Sequence, residues 1–234
     1  MCRHTCPLLA SALFCLLLVV ALLHGHQSLP RPGYTGGFGE ANCTACHTGA
    51  VNPSGGSVAV EAASWSPARA VPVTVTIRDT AAGRQRWGFQ LSARFRDGKQ
   101  AGSFSPGSGV DVILGTNGIQ YAGNAPAARQ AGSSFTYTVM WTAPGETAAG
   151  DVLFSAAGMA ADGDGGKEGD RTFTVQATAT MVQPPRVYAG GIVNAASFVA
   201  APNNAVAPGA LISVFGENLA DQRAEASSLP LPVT

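Results

Sequence analysis

Residues 87–95 read WGFQLSARF, with an apolar side chain at every second position. Side chains at i and i+2 lie on the same face of a β-strand, so this run predicts one buried and one solvated face. No segment shows the sustained period of an amphipathic helix, so the pattern predicts a series of short strands. The same alternation recurs in the runs 57–60, 71–77, 110–114, 135–141, 152–156 and 172–180.

Turn-forming residues separate these runs. Asp97-Gly98 and Asn117-Gly118 are typical of tight β-turns. Seven or eight short strands at this spacing predict an all-β protein built as a two-sheet antiparallel sandwich. The aromatic residues predicted to fill its core are Trp65, Trp87, Phe89, Phe95, Phe135, Tyr137 and Trp141.

The N-terminus predicts an export signal. Residues 1–28 contain Arg3 and His4 near the N-terminus, followed by an uncharged apolar run over residues 8–23. This layout is typical of a secretory signal peptide, and the run is shorter than the roughly 20 residues of a membrane-spanning helix. We therefore expect an extracytoplasmic protein, secreted, periplasmic or on the cell surface, with no membrane span once the leader is removed.

The rest of the chain divides by composition. Pro184-Pro185 interrupts the strand pattern, and the residues after it hold too few apolar strands for an independent core, so the second β domain is predicted to be truncated. The predicted segments are 29–56 (N-terminal segment), 57–181 (sandwich), 182–187 (linker) and 188–234 (start of an incomplete C-terminal β domain).

Charge excludes several kinds of partner. Charged residues make up 12% of the chain, and 14 basic side chains balance 14 acidic ones. Without a basic stripe there is no electrostatic basis for nucleic-acid binding, and no polybasic or amphipathic segment favours a membrane surface. The expected partner is an extracellular protein or a redox protein.

Residues 43–47 read CTACH and carry the strongest chemical signal in the chain. In a Cys-x-x-Cys-His motif, two thiols can form thioether bonds to the vinyl groups of haem, and the adjacent histidine ligates the iron. Cys43 and Cys46 are thus the predicted attachment points of a c-type haem, and His47 its axial ligand. The other three cysteines lie in the predicted leader, which leaves this pair without another partner.

Other interpretations of the motif stay open. A local Cys43–Cys46 disulfide is easily formed after export, and the chain would then be a cofactor-free adhesion or interaction module. A thioredoxin-like role lacks a βαβ context, and a zinc site would need a fourth ligand such as a carboxylate or His26. With His47 as the one secure histidine, no Ser-His-Asp arrangement is available, so we expect no enzyme but an electron-carrying or redox-sensing accessory.

Two further sets of residues are candidate ligands. Met140, Met159 and Met181 are candidates for the sixth ligand of the iron, and Met159, before an Asp/Gly loop, is the most accessible by pattern. Met140 and Met181 lie in strand-like runs and are predicted to pack in the core. A packing or loop role for Met159 and a five-coordinate or water-ligated iron are the alternatives. Residues 162–170 read DGDGGKEGD, a spacing that can wrap oxygen ligands around calcium, although a solvated hairpin loop is the alternative. The calcium candidates are Asp162, Asp164 and Asp170.

Several short motifs, in this order, resemble the Reeler (reelin N-terminal) domain. They are residues 33–36 (GYTG), the 43–47 motif, Asn52-Pro53, residues 88–94 (GFQLSAR), residues 101–104 (AGSF) and the Asp/Gly loop ending at Asp170. The resemblance spans residues 33–180 and is closest to the bacterial branch, whose N-terminal segment carries Cys-x-x-Cys-His. It implies an extracellular immunoglobulin-like sandwich; the disulfides of its animal members need a distant cysteine that the mature chain lacks.

A second resemblance concerns the C-terminal residues. Residues 188–233, with the text VNAASF…APG…SVFGENLA, are similar to a C-terminal module of large secreted bacterial proteins. That module has no known function, and from the resemblance we expect residues 188–233 to be its beginning.

Overall fold

The structure, a computed structural model, describes residues 29–145, 150–183, 185–199 and 207–220. The predicted leader and parts of the predicted C-terminal domain lie outside these residues. The chain divides into two compact units between Met181 and Val182. Among the described residues, no helix is long and apolar enough to cross a membrane.

Short strands dominate the regular structure, as the period-two pattern predicts. In the described part of the chain, one 3-10 turn, Cys43–Ala45, precedes them. The strands are β1 (Gly56–Ala62), β2 (Ala70–Asp79), β3 (Arg86–Arg94), β4 (Ser103–Ser105), β5 (Val110–Leu114), β6 (Gln120–Asn124), β7 (Ala128–Arg129), β8 (Ser134–Thr142), β9 (Val152–Ala161), β10 (Arg171–Ala179), β11 (Arg186–Asn194) and β12 (Ile212–Glu217).

The first unit is an antiparallel β-sandwich. One sheet has four strands in the order β1-β2-β8-β4, and the other has six, in the order β10-β9-β3-β6-β5 with β7 paired to β3. Every pairing within the two sheets is antiparallel. The predicted fold class is therefore confirmed, although β4, β6 and β7 were not among the predicted runs.

Aromatic side chains fill the core between the sheets. Trp65, Trp87 and Trp141 are fully buried. The rings of Trp65 and Trp141 meet edge to face, with centroids 6.1 Å apart. Each indole N–H donates to a backbone carbonyl, at 2.8–3.2 Å, so no buried donor is left without a partner in these rings. Burial of an aromatic side chain removes about 150–250 Å² from water, which at about 25 cal/mol per Å² corresponds to about 4–6 kcal/mol of hydrophobic stabilisation.

Met140 is not a core residue, contrary to the prediction. The alternation of β8 directs Tyr137, Val139 and Trp141 into the core, and Met140 between them is 42% exposed. Met181 is partly buried and packs against the core, as predicted.

The N-terminal segment covers the outer face of the six-stranded sheet. The prediction that each strand has one solvated face is therefore wrong for β3 and β9, which are buried on both faces. The Gln90 side chain, on the outer face of β3, accepts a hydrogen bond from Tyr34 N at 2.6 Å and donates to Arg31 O at 2.7 Å. Gly37 lies so close to β9 that a Cβ atom there would stand 2.2 Å from Ser155 Oγ.

A buried ion pair fixes the same segment to the sheet. Arg94 of β3 donates to Glu40, and Arg94 also donates to the Tyr121 hydroxyl at 2.8 Å. Glu40 accepts further hydrogen bonds from Tyr121 and, at 2.6 Å, from Thr35 Oγ1. The side chains of Arg94 and Glu40 are 6% and 10% exposed, and burial lowers the pKa of the Arg94 guanidinium. A charge this deeply buried requires its partner, so the contact specifies where the segment lies.

The second unit contains the antiparallel pair β11 and β12. Strand β11 begins at Arg186, inside the predicted linker. Several of the large apolar side chains of this pair are exposed, namely Val187, Tyr188, Ile192, Ile212, Val214 and Phe215.

Candidate functional site

The Cys-x-x-Cys-His motif forms one tight turn. Asn42 caps it, because its side-chain oxygen accepts hydrogen bonds from Thr44 N at 2.9 Å and Thr44 Oγ1 at 2.7 Å. Cys43 O then accepts from Cys46 N at 3.2 Å and from His47 N at 3.0 Å. Side chains three residues apart in a 3-10 turn lie on the same side, which brings Cys43 and Cys46 together.

All three side chains line one pocket. It lies on the outer face of the six-stranded sheet, where the N-terminal segment and the Asp/Gly loop 162–170 meet. Its cavity volume is about 120 Å³. Other residues that line it include Pro30, Tyr34, Gly88, Ala127, Met159 and Gly165.

His47 is held by a carboxylate. Its Nδ1 atom lies 2.6 Å from Asp170 Oδ2, and the two side chains are 14% and 3% exposed. A carboxylate oxygen accepts hydrogen bonds, so the contact places the imidazole proton on Nδ1 and leaves Nε2 available to a ligand. The Asp170 carboxylate is itself fixed, because Oδ1 accepts from Asp162 N at 3.3 Å.

Further contacts bring the motif and the loop together. Thr48, which follows the motif, donates its backbone N–H to Lys167 O at 2.9 Å and its hydroxyl to Glu168 at 2.7 Å. Arg84 donates to Gly169 O at 2.8 Å and thereby fixes the end of the loop before β10. The loop therefore forms one wall of the pocket and is not a freely solvated hairpin.

The carboxylates of the three calcium candidates already have hydrogen-bond partners in the protein. Asp162 Oδ1 accepts from Asp164 N at 3.2 Å, Asp164 Oδ1 accepts from Gly166 N at 2.6 Å, and Asp170 contacts His47. Within the described ranges, no group of three or more His, Cys, Asp or Glu side chains is arranged to hold a metal ion. Calcium, like the zinc alternative, stays a prediction with no geometric argument behind it.

The two cysteines differ in environment. Both are free thiols; Cys46 is exposed and Cys43 is partly covered. Burial raises the pKa of the Cys43 thiol from 9.0 to about 12, an effect that a hydrogen bond to the backbone partly offsets and that Cys46 reinforces. A redox-exchange cysteine needs a lowered pKa, so this environment argues against the thioredoxin-like interpretation.

The structure brings together some candidates that the sequence could only name separately. Met159, on the outer face of β9, lines the pocket that contains His47. Asp170, a calcium candidate in the sequence, contacts His47 across 123 positions, a partnership for which the sequence offers no signal. Tyr34, Gly88 and Asn124 also line the pocket but belong to no recognisable motif.

No family model matches the chain, and no curated protein matches it. Among solved structures, the chain is similar to the Reelin-N domain of F-spondin, with 18% identity over 60% of this chain and 96% of that one at a TM-score of 0.40. It is also similar to the human F-spondin reeler domain (fragment 1), with 17% identity, 57% and 95% coverage, and a TM-score of 0.36. The seventh ScaB type I cohesin of Pseudobacteroides cellulosolvens has 10% identity, 55% and 94% coverage, and a TM-score of 0.32. These likenesses concern the β-sandwich fold alone, and the haem motif and the C-terminal module stay predictions from the sequence.

Proposed function

We propose that this chain is an extracytoplasmic β-sandwich protein that binds a c-type haem covalently and serves as an electron-carrying or redox-sensing accessory. The observation that carries the proposal is the convergence of Cys43, Cys46 and His47 on one pocket, with His47 Nδ1 held by Asp170. A motif of five residues can match by chance. A pocket that its two cysteines and its histidine line is the structural context that supports the motif.

The donor set fits the group. Two free thiols lie on the same turn as an imidazole whose Nε2 is available, and these are the groups that c-type attachment requires. All three groups line the same pocket, whose loop wall includes Gly165. At Gly165, an added Cβ would meet no atom within 4 Å, so the pocket is open on this side.

Attachment would use the thiols of Cys43 and Cys46 as they stand. Each cysteine would add its sulfur to one carbon of a vinyl group and its proton to the other, so that an S–H bond and a C=C π bond would be replaced by C–S and C–H bonds. The addition would involve no net oxidation. It would consume both thiols, so a Cys43–Cys46 disulfide and a fully attached haem would exclude each other.

Two of the chain's own residues would then ligate the iron. His47 would ligate the iron through Nε2, and Met159, on the floor of the same pocket, is the proposed sixth ligand. The bound iron would supply one-electron transfer. Because the pocket is open and Cys46 is exposed, one edge of the macrocycle would stay in contact with solvent and with a redox partner.

The proposal is tested by the pyridine haemochrome spectrum of the full chain, produced in a host with cytochrome c maturation machinery. Wild-type protein should contain one covalent haem per chain, and the Cys43→Ala/Cys46→Ala variant should contain none. Met140→Ala, which removes an exposed side chain outside the pocket, is the matched control and should keep the haem. A colourless wild-type protein lighter than the reduced chain by two hydrogens would favour the cofactor-free interaction module with a local disulfide.

A further inference from the structure

The contact between His47 and Asp170 is a feature of the pocket that the haem motif does not itself require. The motif specifies an axial histidine but not the acceptor of its second ring nitrogen. Here that acceptor is a carboxylate, 2.6 Å from Nδ1. Carboxylate partners of this kind fix the tautomer and the orientation of a ligating ring and make it a stronger donor to the metal.

Asp170 is rigidly placed for this task. Its side chain is 3% exposed, and its second oxygen accepts a hydrogen bond from Asp162 N. It immediately precedes β10, and the carbonyl of Gly169 before it is held by Arg84. The carboxylate therefore cannot turn away without disrupting these contacts.

We infer that Asp170 is a positioning residue, an inference that rests on the proposed haem site. Asp170 would hold His47 through Nδ1 and present Nε2 to the iron. It would thereby favour the ferric over the ferrous state. A hydrogen bond from Nδ1 to a carboxylate moves negative charge onto the ring, and an electron-rich axial ligand stabilises the higher oxidation state. The site would thus have a lower reduction potential than the same His/Met pair with a neutral acceptor on Nδ1.

The contact can be tested first without haem. Nitrogen-15 NMR of the full chain, produced without maturation machinery, reports which ring nitrogen of His47 carries the proton. The expected result is an Nδ1–H tautomer whose proton signal shifts in Asp170→Asn. An Nε2–H tautomer in the folded wild-type protein would overturn the inference and would leave covalent attachment untouched.

The second test compares matured Asp170→Asn and Glu168→Gln by redox titration. Both substitutions remove one negative charge from the same loop, but Glu168 is exposed and does not line the pocket, and glutamine can still accept the hydrogen bond from Thr48 Oγ1. Asp170→Asn should keep covalent haem and shift the ferric/ferrous equilibrium at least tenfold towards ferrous iron, which is 59 mV for a one-electron couple. Glu168→Gln should change the potential little, because solvent screens an exposed charge.

The outcomes separate the two proposals. If both variants carry haem and have equal reduction potentials, loss of charge alone explains any shift from the wild type. That result would overturn the proposed role of Asp170. An unchanged potential in Asp170→Asn would overturn it as well. A matured wild-type protein without haem would instead overturn the proposed function on which the inference rests.

Discussion

Replacing Glu40 by alanine should detach the N-terminal segment from the sheet. The substitution leaves the Arg94 guanidinium, 6% exposed, without its ionic partner. Removal of one member of a buried pair costs about 3–5 kcal/mol, because the remaining charge is desolvated and uncompensated. The free energy of unfolding of the full chain, measured with urea, should fall by that amount if the segment and the sandwich unfold together.

Hydrogen exchange locates the effect if the segment opens on its own. Tyr34 N donates to Gln90, so its amide should exchange roughly a hundredfold faster in Glu40→Ala, as about 3 kcal/mol of lost local stability requires. Glu61→Ala, which removes an exposed carboxylate from β1, is the matched control and should change stability by less than about 0.5 kcal/mol.

The two members of the ion pair should differ in the stability that is lost when each is replaced. Arg94→Met leaves Glu40 with two hydrogen-bond donors, the hydroxyls of Thr35 and Tyr121, so it should cost less than Glu40→Ala. The double variant should be more stable than the sum of the two losses implies, since no unpaired charge stays buried. A cost below about 1 kcal/mol for Glu40→Ala, in both unfolding and exchange, would refute the idea that this ion pair anchors the segment.

Three further predictions concern the thiols, the sixth ligand and the core. In protein without haem, iodoacetamide at about pH 8 should label Cys46 and spare Cys43. The pKa of Cys43 is about 12 against an ordinary 9.0, which leaves roughly a thousandfold less thiolate. Equal labelling of the two cysteines of the native protein in peptide mass spectra would contradict this. Met159→Leu should keep covalent haem but lower the reduction potential, because the thioether ligand is lost; an unchanged potential and spectrum would exclude Met159 as a ligand. Tyr137→Phe should cost about 1–3 kcal/mol in urea unfolding, because the hydroxyl donates to Trp87 O at 2.6 Å and accepts from a backbone N–H of β7; a loss within experimental error would show that these groups find other partners.

The sandwich could be predicted because the core-facing side chains alternate along the strands. The run 87–95 shows this clearly, and β3 occupies residues 86–94 of the chain. The strands β4 and β7 have too few residues for a period to be visible, and Gly123 and Asn124 in β6 are residue types that are depleted in strands. The burial of β3 and β9 on both faces was also unpredictable, because the covering segment attaches through Glu40 and backbone contacts and not through an apolar pattern.

The candidate site was only partly visible in the sequence. Five adjacent residues carry the attachment motif, so their local geometry follows from their spacing. The pocket, however, depends on tertiary contacts such as the one between His47 and Asp170, which lie 123 positions apart. Loop residues such as Asp162 and Asp170 matched a calcium-like spacing because Asp and Gly are favoured in turns as well as around cations.

Mass spectrometry of the matured chain tests the central claim most directly. Trypsin should release the whole motif in one peptide that ends at Arg69, since no lysine or arginine lies between residues 31 and 69. If Cys43 and Cys46 carry haem, that peptide has the added mass of one intact haem after acid extraction of non-covalent porphyrin. The same peptide with two unmodified thiols, or with a disulfide between them, would contradict the account.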